Sequence, residues 1–307
     1  LATVPSMGYA SFSIAPGPAP KPAAGGMRVG QPWTEPFSNA FFSVSPGRGG
    51  LSSVVDKATG SELFNTSHLM VGEWMSLAYT DTGASETHTY RAPSNKGGTE
   101  GTSAFNRTTM GEERLGNHSG WVGWTCIETG AVRTVFTSAP VRTRCSTVSY
   151  TVTLYAQLKR IDYVVELKGW KNCFGVSNRL SFPIRTSSRN VTFATNFGAV
   201  TVGLDEIENE AKWQSPGSLD TWLQSPGPAV SGFERGWAMG PRECLDWFQA
   251  EGDGGGVTIG SGVGLFDWTD RSGAYEPGQV VLAPELLLHT VGNAGPFTNE
   301  TGDHRFA

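Results

Sequence analysis

The most regular pattern in the chain is a two-residue alternation of apolar and polar positions. In CSTVSYTVTLYA the residues Val148, Tyr150, Val152 and Leu154 alternate with polar ones, and in RIDYVVELKG the residues Ile161, Tyr163, Val165 and Leu167 do the same. A period of two sends successive side chains to opposite faces, so each stretch is predicted to be a strand with one face in a core. The short polar link between them predicts an antiparallel pair. Upstream, NAFFSVSPGRGGLSSVVDKATGSELF reads as strand, glycine-rich turn, strand, turn, with Phe42, Val44, Leu51 and Val54 as core contacts. Further strands are predicted at RLSFPI, NVTFATNF, GGVTIGSGVGLFDW and QVVLAPELLLHT, and LDEIENEAKW is the one plausible helix of any length. Roughly ten or more strands with so little helix predict an all-β fold, a large antiparallel β-sandwich of the supersandwich type with at most one or two short helices.

The alternation is interrupted in two places. The segment from 14 to 33, IAPGPAPKPAAGGMRVGQPW, is rich in Pro, Ala and Gly without periodicity, which is the composition of a linker or surface excursion. The chain therefore divides into a leading strand over 1–14, a linker over 15–37 and a sandwich domain over 38–307. Residues 81–120 are polar and rich in Gly, Ser and Thr, and a loop of that length inside a compact domain is commonly functional or disordered.

Composition agrees with the strand reading. The 40 glycines and 18 prolines punctuate the chain every few residues, which suits short strands and tight turns. Charged residues make up 17% and the net charge is −5. No basic stripe is present to neutralise phosphates or anionic lipid, which argues against nucleic acid and membrane surfaces as partners. No apolar run reaches the roughly 18 residues of a membrane span. The first residue is Leu1 rather than Met and the last residues are GDHRFA, ends that fit a piece of a longer polypeptide.

Two features bear on the compartment. Five N-x-[ST] sequons occur, at Asn65, Asn106, Asn117, Asn190 and Asn299, each a glycan acceptor in a chain that enters a secretory lumen. The even set of four cysteines, Cys126, Cys145, Cys173 and Cys244, fits two disulfides in an oxidising compartment. No C-x-x-C spacing supports a structural zinc site. Of the three possible pairings, Cys126 with Cys145 and Cys173 with Cys244 is preferred, since the first would brace the strands on either side of the turn near Gly130. A secreted or lysosome-like protein is the expectation.

Several of these stretches, in this order, resemble the C-terminal β region of glycoside hydrolase family 38, the α-mannosidases. VPSMGYASFSI is similar to the family's VP-x-x-GY strand, and GGLSSVVDKATGSEL to its G-G-L-x-S-x-x-D-K-x-T-G-x-E-L hairpin. TLYAQLKRIDYVVEL resembles the L-Y-x-x-x-x-R-I-D strands, followed by RLSFPI and TNFGAV. LDWFQAEGDGGGVTIGSGVGLFDWTD looks like the family's tryptophan-containing strand and Gly-rich turn, and TGDHRFA resembles its terminal G-x-H-x-F strand. The stretches at 81–120 and 212–242 match nothing in that pattern. The resemblance implies retaining hydrolysis with a zinc ion held by His and Asp and an Asp nucleophile, all on an α/β barrel that precedes this region.

That barrel is not in this sequence. There is no βα alternation and no H-x-D or H-E-x-x-H spacing to set imidazole and carboxylate on one metal. No cofactor is assigned to this chain; zinc is expected on the absent catalytic domain. A glycosidase acting alone needs two facing carboxylates; Asp205, Glu206, Asp246, Asp267 and Asp270 are candidates that sequence cannot bring together. A polysaccharide lyase on the sandwich needs a Tyr or His beside a sugar carbon, for which His88 and Tyr90 of the polar loop are the nomination. In the family, loops of this region contribute aromatic contacts to the barrel's cleft, and Tyr90 lies near where such a Tyr falls. Trp121 is a further candidate for carbohydrate contact, because an indole face stacks on a pyranose. If GWVGW is a strand, Trp121 and Trp124 lie on opposite faces of it.

The function that fits these observations is a β-domain or subunit of an α-mannosidase-like glycoside hydrolase. It would support the catalytic polypeptide of the same precursor and line its sugar cleft. The alternatives are a free-standing carbohydrate-binding sandwich and, less favoured, a polysaccharide lyase.

Overall fold

A computed structural model describes residues 17, 27–79, 109–171, 176–187, 190–196, 198–202, 242–253, 255–262, 264–269, 280–289 and 302–306. The leading strand over 1–14, most of the polar loop and the candidate helix in LDEIENEAKW lie outside them. The described residues form twenty-one strands, β1 to β21, and one 3-10 turn, Leu115–Asn117. The strands make four antiparallel sheets.

The largest sheet orders β1 (Pro32–Trp33), β8 (Trp124–Thr129), β9 (Arg133–Ser138), β11 (Thr147–Tyr155), β12 (Ile161–Trp170) and β21 (Gly302–Phe306), with β10 (Val141–Arg142) paired on β11. The six-stranded sheet orders β16 (Arg242–Glu243), β19 (Leu265–Thr269), β20 (Val280–His289), β13 (Val176–Pro183), β6 (Glu73–Tyr79) and β7 (Thr109–Arg114). Two four-stranded sheets complete the fold. One orders β2 (Phe37–Ser38), β3 (Phe42–Pro46), β4 (Leu51–Asp56) and β5 (Ser61–Glu62). The other orders β15 (Gly198–Thr201), β14 (Val191–Thr195), β17 (Trp247–Ala250) and β18 (Val257–Gly260).

The alternating stretches form the predicted pair. β11 and β12 run antiparallel in unbroken register from Thr147 opposite Lys168 to Leu154 opposite Ile161. Val148, Tyr150, Val152 and Leu154 are all buried, as a period of two requires when one face meets a core. The predicted hairpin is β3–β4, and Phe42, Val44, Leu51 and Val54 are buried. Its following turn shows why DKATG punctuates the chain. Asp56 Oδ1 accepts the Ala58 N–H at 2.8 Å, and the Asp56 carbonyl accepts the Gly60 N–H at 2.8 Å. Gly60 takes a φ of 70°, which glycine adopts without strain.

A single apolar cluster draws on all four sheets: Trp33, Phe136 and Val152 from the first, Trp74, Leu180 and Leu282 from the second, Val44 and Val54 from the third, and Phe193 and Phe248 from the fourth. β13 is buried along its whole length, because β6 and β20 flank it and apolar clusters lie on its sheet's two faces. Strands buried on both faces lose the alternation that marks half-exposed ones.

Three readings change. The linker over 15–37 ends early: Trp33 pairs with Trp124 and Phe37 with Val44, and both Trp33 and Phe37 are buried. The polar stretch 81–120 closes with β7, which pairs with β6 although TMGEER shows no apolar alternation. It lies at the edge of its sheet, where polar residues are tolerated and favoured.

The preferred disulfides do not form, since Cys126 and Cys244 are buried thiols outside any disulfide. The register explains why for the first pairing. Cys126 lies opposite Phe136, which lies opposite Val152, whereas Cys145 sits seven residues further along, before β11. At about 3.3 Å per residue that is roughly 20 Å along the sheet, far beyond the ~4.4–6.8 Å between Cα atoms that a disulfide spans. Cys173 lies outside the described residues.

Candidate functional site

Of the nominated carbohydrate contacts, His88 and Tyr90 lie outside the described residues, and Trp121 is the one whose surroundings are defined. Trp121 precedes β8 rather than lying in it. Gly123, at a φ of 120°, turns the chain just before the strand, in a conformation that favours glycine. The two indoles of GWVGW therefore meet instead of pointing apart: Trp121 stands edge-on to Trp124 with centroids 5.5 Å apart. Trp121 is also tilted against Tyr150 at 6.3 Å, and Trp124 stacks on Tyr150 at 5.8 Å. Trp121 is half-buried, while its neighbour Val122 is 80% exposed.

The frame under Trp121 is polar and closely packed. The Glu73 side chain, fully buried, accepts hydrogen bonds from Arg114 Nε and Nη2 at 3.0 Å each, from the Gly116 N–H at 2.9 Å and from the Met70 N–H at 2.8 Å. Arg114 also donates to the His68 carbonyl. Arg48 donates to the carbonyls of Gly116 and His118, at 3.1 and 3.0 Å. These bonds fix the chain from Arg114 to His118, and the Trp121 N–H donates to the His118 carbonyl at 3.1 Å. Glycine is required at two points. A Cβ on Gly116 would stand 2.5 Å from Glu73 Oε1, and one on Gly49 would stand 2.4 Å from the Gly116 nitrogen.

Tyr150 anchors the other side. Its hydroxyl oxygen accepts the Trp74 N–H, and burial pushes the phenol well above its ordinary range, so the ring stays neutral. Trp124 Nε1 donates to the Gly47 carbonyl at 2.9 Å. Sequence reasoning missed Glu73, Arg48 and Arg114, and no spacing signals them: the carboxylate and its guanidinium are 41 residues apart.

Among the described residues, no group of three His, Cys, Asp or Glu side chains comes together as a metal site would need. Asp246 is exposed and lies just outside β17; the side chain of Asp267 and the other candidate carboxylates lie outside the described residues. Of the sequons, Asn117 and Asn190 are exposed and Asn65 is half-buried, with its Oδ1 accepting from the Ser67 hydroxyl at 2.8 Å. Asn106 and Asn299 lie outside the described residues.

The fold and this site define an all-β domain with a fixed aromatic cluster. Solved structures share that fold. An α-mannosidase from Enterococcus faecalis V583 superimposes with a TM-score of 0.56 at 14% identity, over 91% of this chain and 29% of the mannosidase. A protein in glycosyl hydrolase family 38 from Enterococcus faecalis gives a TM-score of 0.55 at 13% identity, over 91% of this chain and 30% of that one. The chain thus spans less than a third of the length of these structures. No family model matches the sequence, and no curated protein does.

Proposed function

We propose that this chain is the non-catalytic β region of an α-mannosidase-like glycoside hydrolase of family 38, and that it buttresses the catalytic polypeptide and forms one wall of its sugar cleft. The observation that carries the reading is the coverage: 91% of this chain matches 29% of an α-mannosidase. The motif order from GGLSSVVDKATGSEL to TGDHRFA supports the same family independently of the superposition.

In this reading the zinc ion and the nucleophile sit on the partner polypeptide, and this chain supplies aromatic surface, with Trp121 as its best-defined candidate and Tyr90 and His88 as further ones. Passage through a secretory lumen is part of the proposal, supported by the exposure of Asn117 and Asn190.

Native mass spectrometry of the protein purified from its source tests it. The expected result is a complex with a second, zinc-bearing polypeptide, or a single longer chain with that region upstream, which hydrolyses an aryl α-mannoside. A monodisperse monomer without a partner overturns the reading, and binding of that monomer on a glycan array would instead assign a free-standing carbohydrate-binding domain.

A further inference from the structure

The turn that carries Trp121 is closed by an imidazole. His118 Nδ1 accepts the Gly120 N–H at 3.0 Å, and the His118 carbonyl accepts the Trp121 N–H at 3.1 Å. We propose that His118 is the positioning residue of Trp121 and a proton-sensitive one: the neutral ring holds the indole in place, and a proton on Nδ1 opens the turn over 118–121 and releases it.

An imidazole nitrogen accepts a hydrogen bond only while it carries no proton. With Nδ1 accepting, the single proton of the neutral ring lies on Nε2, which stands 3.6 Å from Glu113 Oε1. Both ring nitrogens are thereby committed. A second proton has to enter at Nδ1, where it points at the Gly120 N–H, and two donors cannot share that space. The Glu113 edge does not yield, because the carboxylate attracts an imidazolium and is itself held by the Arg144 N–H, 3.1 Å from each of its oxygens. The ring already lies close against the turn, since a Cβ on Gly120 would stand 3.1 Å from Nδ1. The Gly120 peptide is therefore the part that turns away, and Trp121 is the next residue along.

Among the described residues, the charged groups facing His118 are Glu113 from β7 and Arg48 from the β3–β4 turn, whose Nη2 donates to the His118 carbonyl at 3.0 Å. Arg144, in the β10–β11 turn, reaches the site through its backbone on Glu113. Arg48 also holds the Gly116 carbonyl, so the chain before His118 stays in place when the turn opens. Trp121 then gives up its approach to Trp124 and Tyr150, at 5.5 and 6.3 Å, while Trp124 keeps its bond to the Gly47 carbonyl. Imidazole is the side chain that ordinarily changes charge between about pH 5 and 8. The aromatic surface thus differs between neutral and acidic solution. That this difference alters contact with a sugar rests on the proposed function; the behaviour of the turn does not.

Heteronuclear NMR of the isotope-labelled full chain tests the proposal through the indole N–H signals, that of Trp121 being assigned by its absence in Trp121→Phe. As the pH is lowered from about 8 to about 5, the wild-type Trp121 signal is expected to shift. In His118→Asn the side-chain oxygen takes the N–H two residues on, as Asn does in turns, and it does not titrate. The Trp121 signal of that variant is expected to stay near the wild-type high-pH position throughout. In His118→Leu, which has no acceptor, the signal is expected to be displaced at every pH. A wild-type signal that does not move, an equal movement in His118→Asn, or a His118→Leu signal at the wild-type high-pH position overturns the proposal. Wild type and His118→Asn decide the question even if the Leu variant does not fold. The outcome is separate from the family reading, which the presence or absence of a zinc-bearing partner tests.

Discussion

Glu73 and Arg114 meet diagonally across the β6–β7 pair, the carboxylate fully buried and the guanidinium donating to it through both Nε and Nη2 at 3.0 Å. Arg114 lies opposite Met75 in the ladder, which sets it two residues from the position facing Glu73 and on the same face. A paired, bidentate arrangement that also takes the Gly116 and Met70 N–H groups satisfies a charge that would otherwise be costly to bury.

Replacing Glu73 by Gln therefore leaves a largely buried guanidinium without its counter-charge. The expected loss is about 3 kcal/mol, read as a lower midpoint in urea unfolding. Replacing Glu73 and Arg114 together by Leu and Met is expected to restore part of that loss, because both buried charges then disappear.

Gly49 and Gly60 offer a matched pair. Both have positive φ, 72° and 70°. At Gly49 a Cβ would lie 2.4 Å from the Gly116 nitrogen and 2.6 Å from the Leu115 carbonyl carbon, whereas at Gly60 nothing lies within 4 Å. Gly60→Ala is expected to cost about 1 kcal/mol, the backbone penalty alone. Gly49→Ala adds a clash with main chain and is expected to cost about 3 kcal/mol or more. Thermal midpoints of the two variants, measured side by side, check the difference.

Asp56 links stability to acid. The hydrogen bond from Lys159, at 2.6 Å, and the Ala58 N–H hold its carboxyl below the ordinary value of 3.8. A carboxylate with a depressed folded value stabilises the fold above its unfolded value, and that contribution is lost as pH falls through the folded one. The stability gap between the wild type and Asp56→Asn should be constant from neutral pH down to about pH 5, then narrow below pH 3.8. Urea unfolding of both proteins across that range measures it; a gap independent of pH down to pH 2 would contradict the ion pair.

Phe266 joins two sheets. Its ring lies flat on Phe248, with centroids 4.2 Å apart and planes 4° apart, and is tilted against Phe193 at 5.5 Å. Phe266→Ala opens a cavity between β19 and the β14–β17 pair, with an expected cost of about 3–5 kcal/mol. Hydrogen exchange should show protection lost first at Phe193, Phe248 and their ladder partners.

The sequence by itself determined what depends on neighbours along the chain. The β11–β12 pair follows from alternation at Val148 to Leu154 and Val165 to Leu167, since backbone sterics give a strand a period of two whatever it packs against. The Asp56–Gly60 turn follows from a side chain bonding to an N–H two residues on and from a glycine that accepts positive φ. Tertiary structure alone decided the rest. Whether Trp121 faces or avoids Trp124 depended on where β8 begins, and TMGEER became a strand because β6 offered it an open edge. Which cysteines remain thiols depended on sheet order, which separates Cys126 from Cys145 along the strands. The Glu73–Arg114 pair had no local signal, because what brings a carboxylate to a guanidinium 41 residues away is the choice of strand neighbours. That choice is made by the shared core drawn from all four sheets, not by any one stretch of sequence.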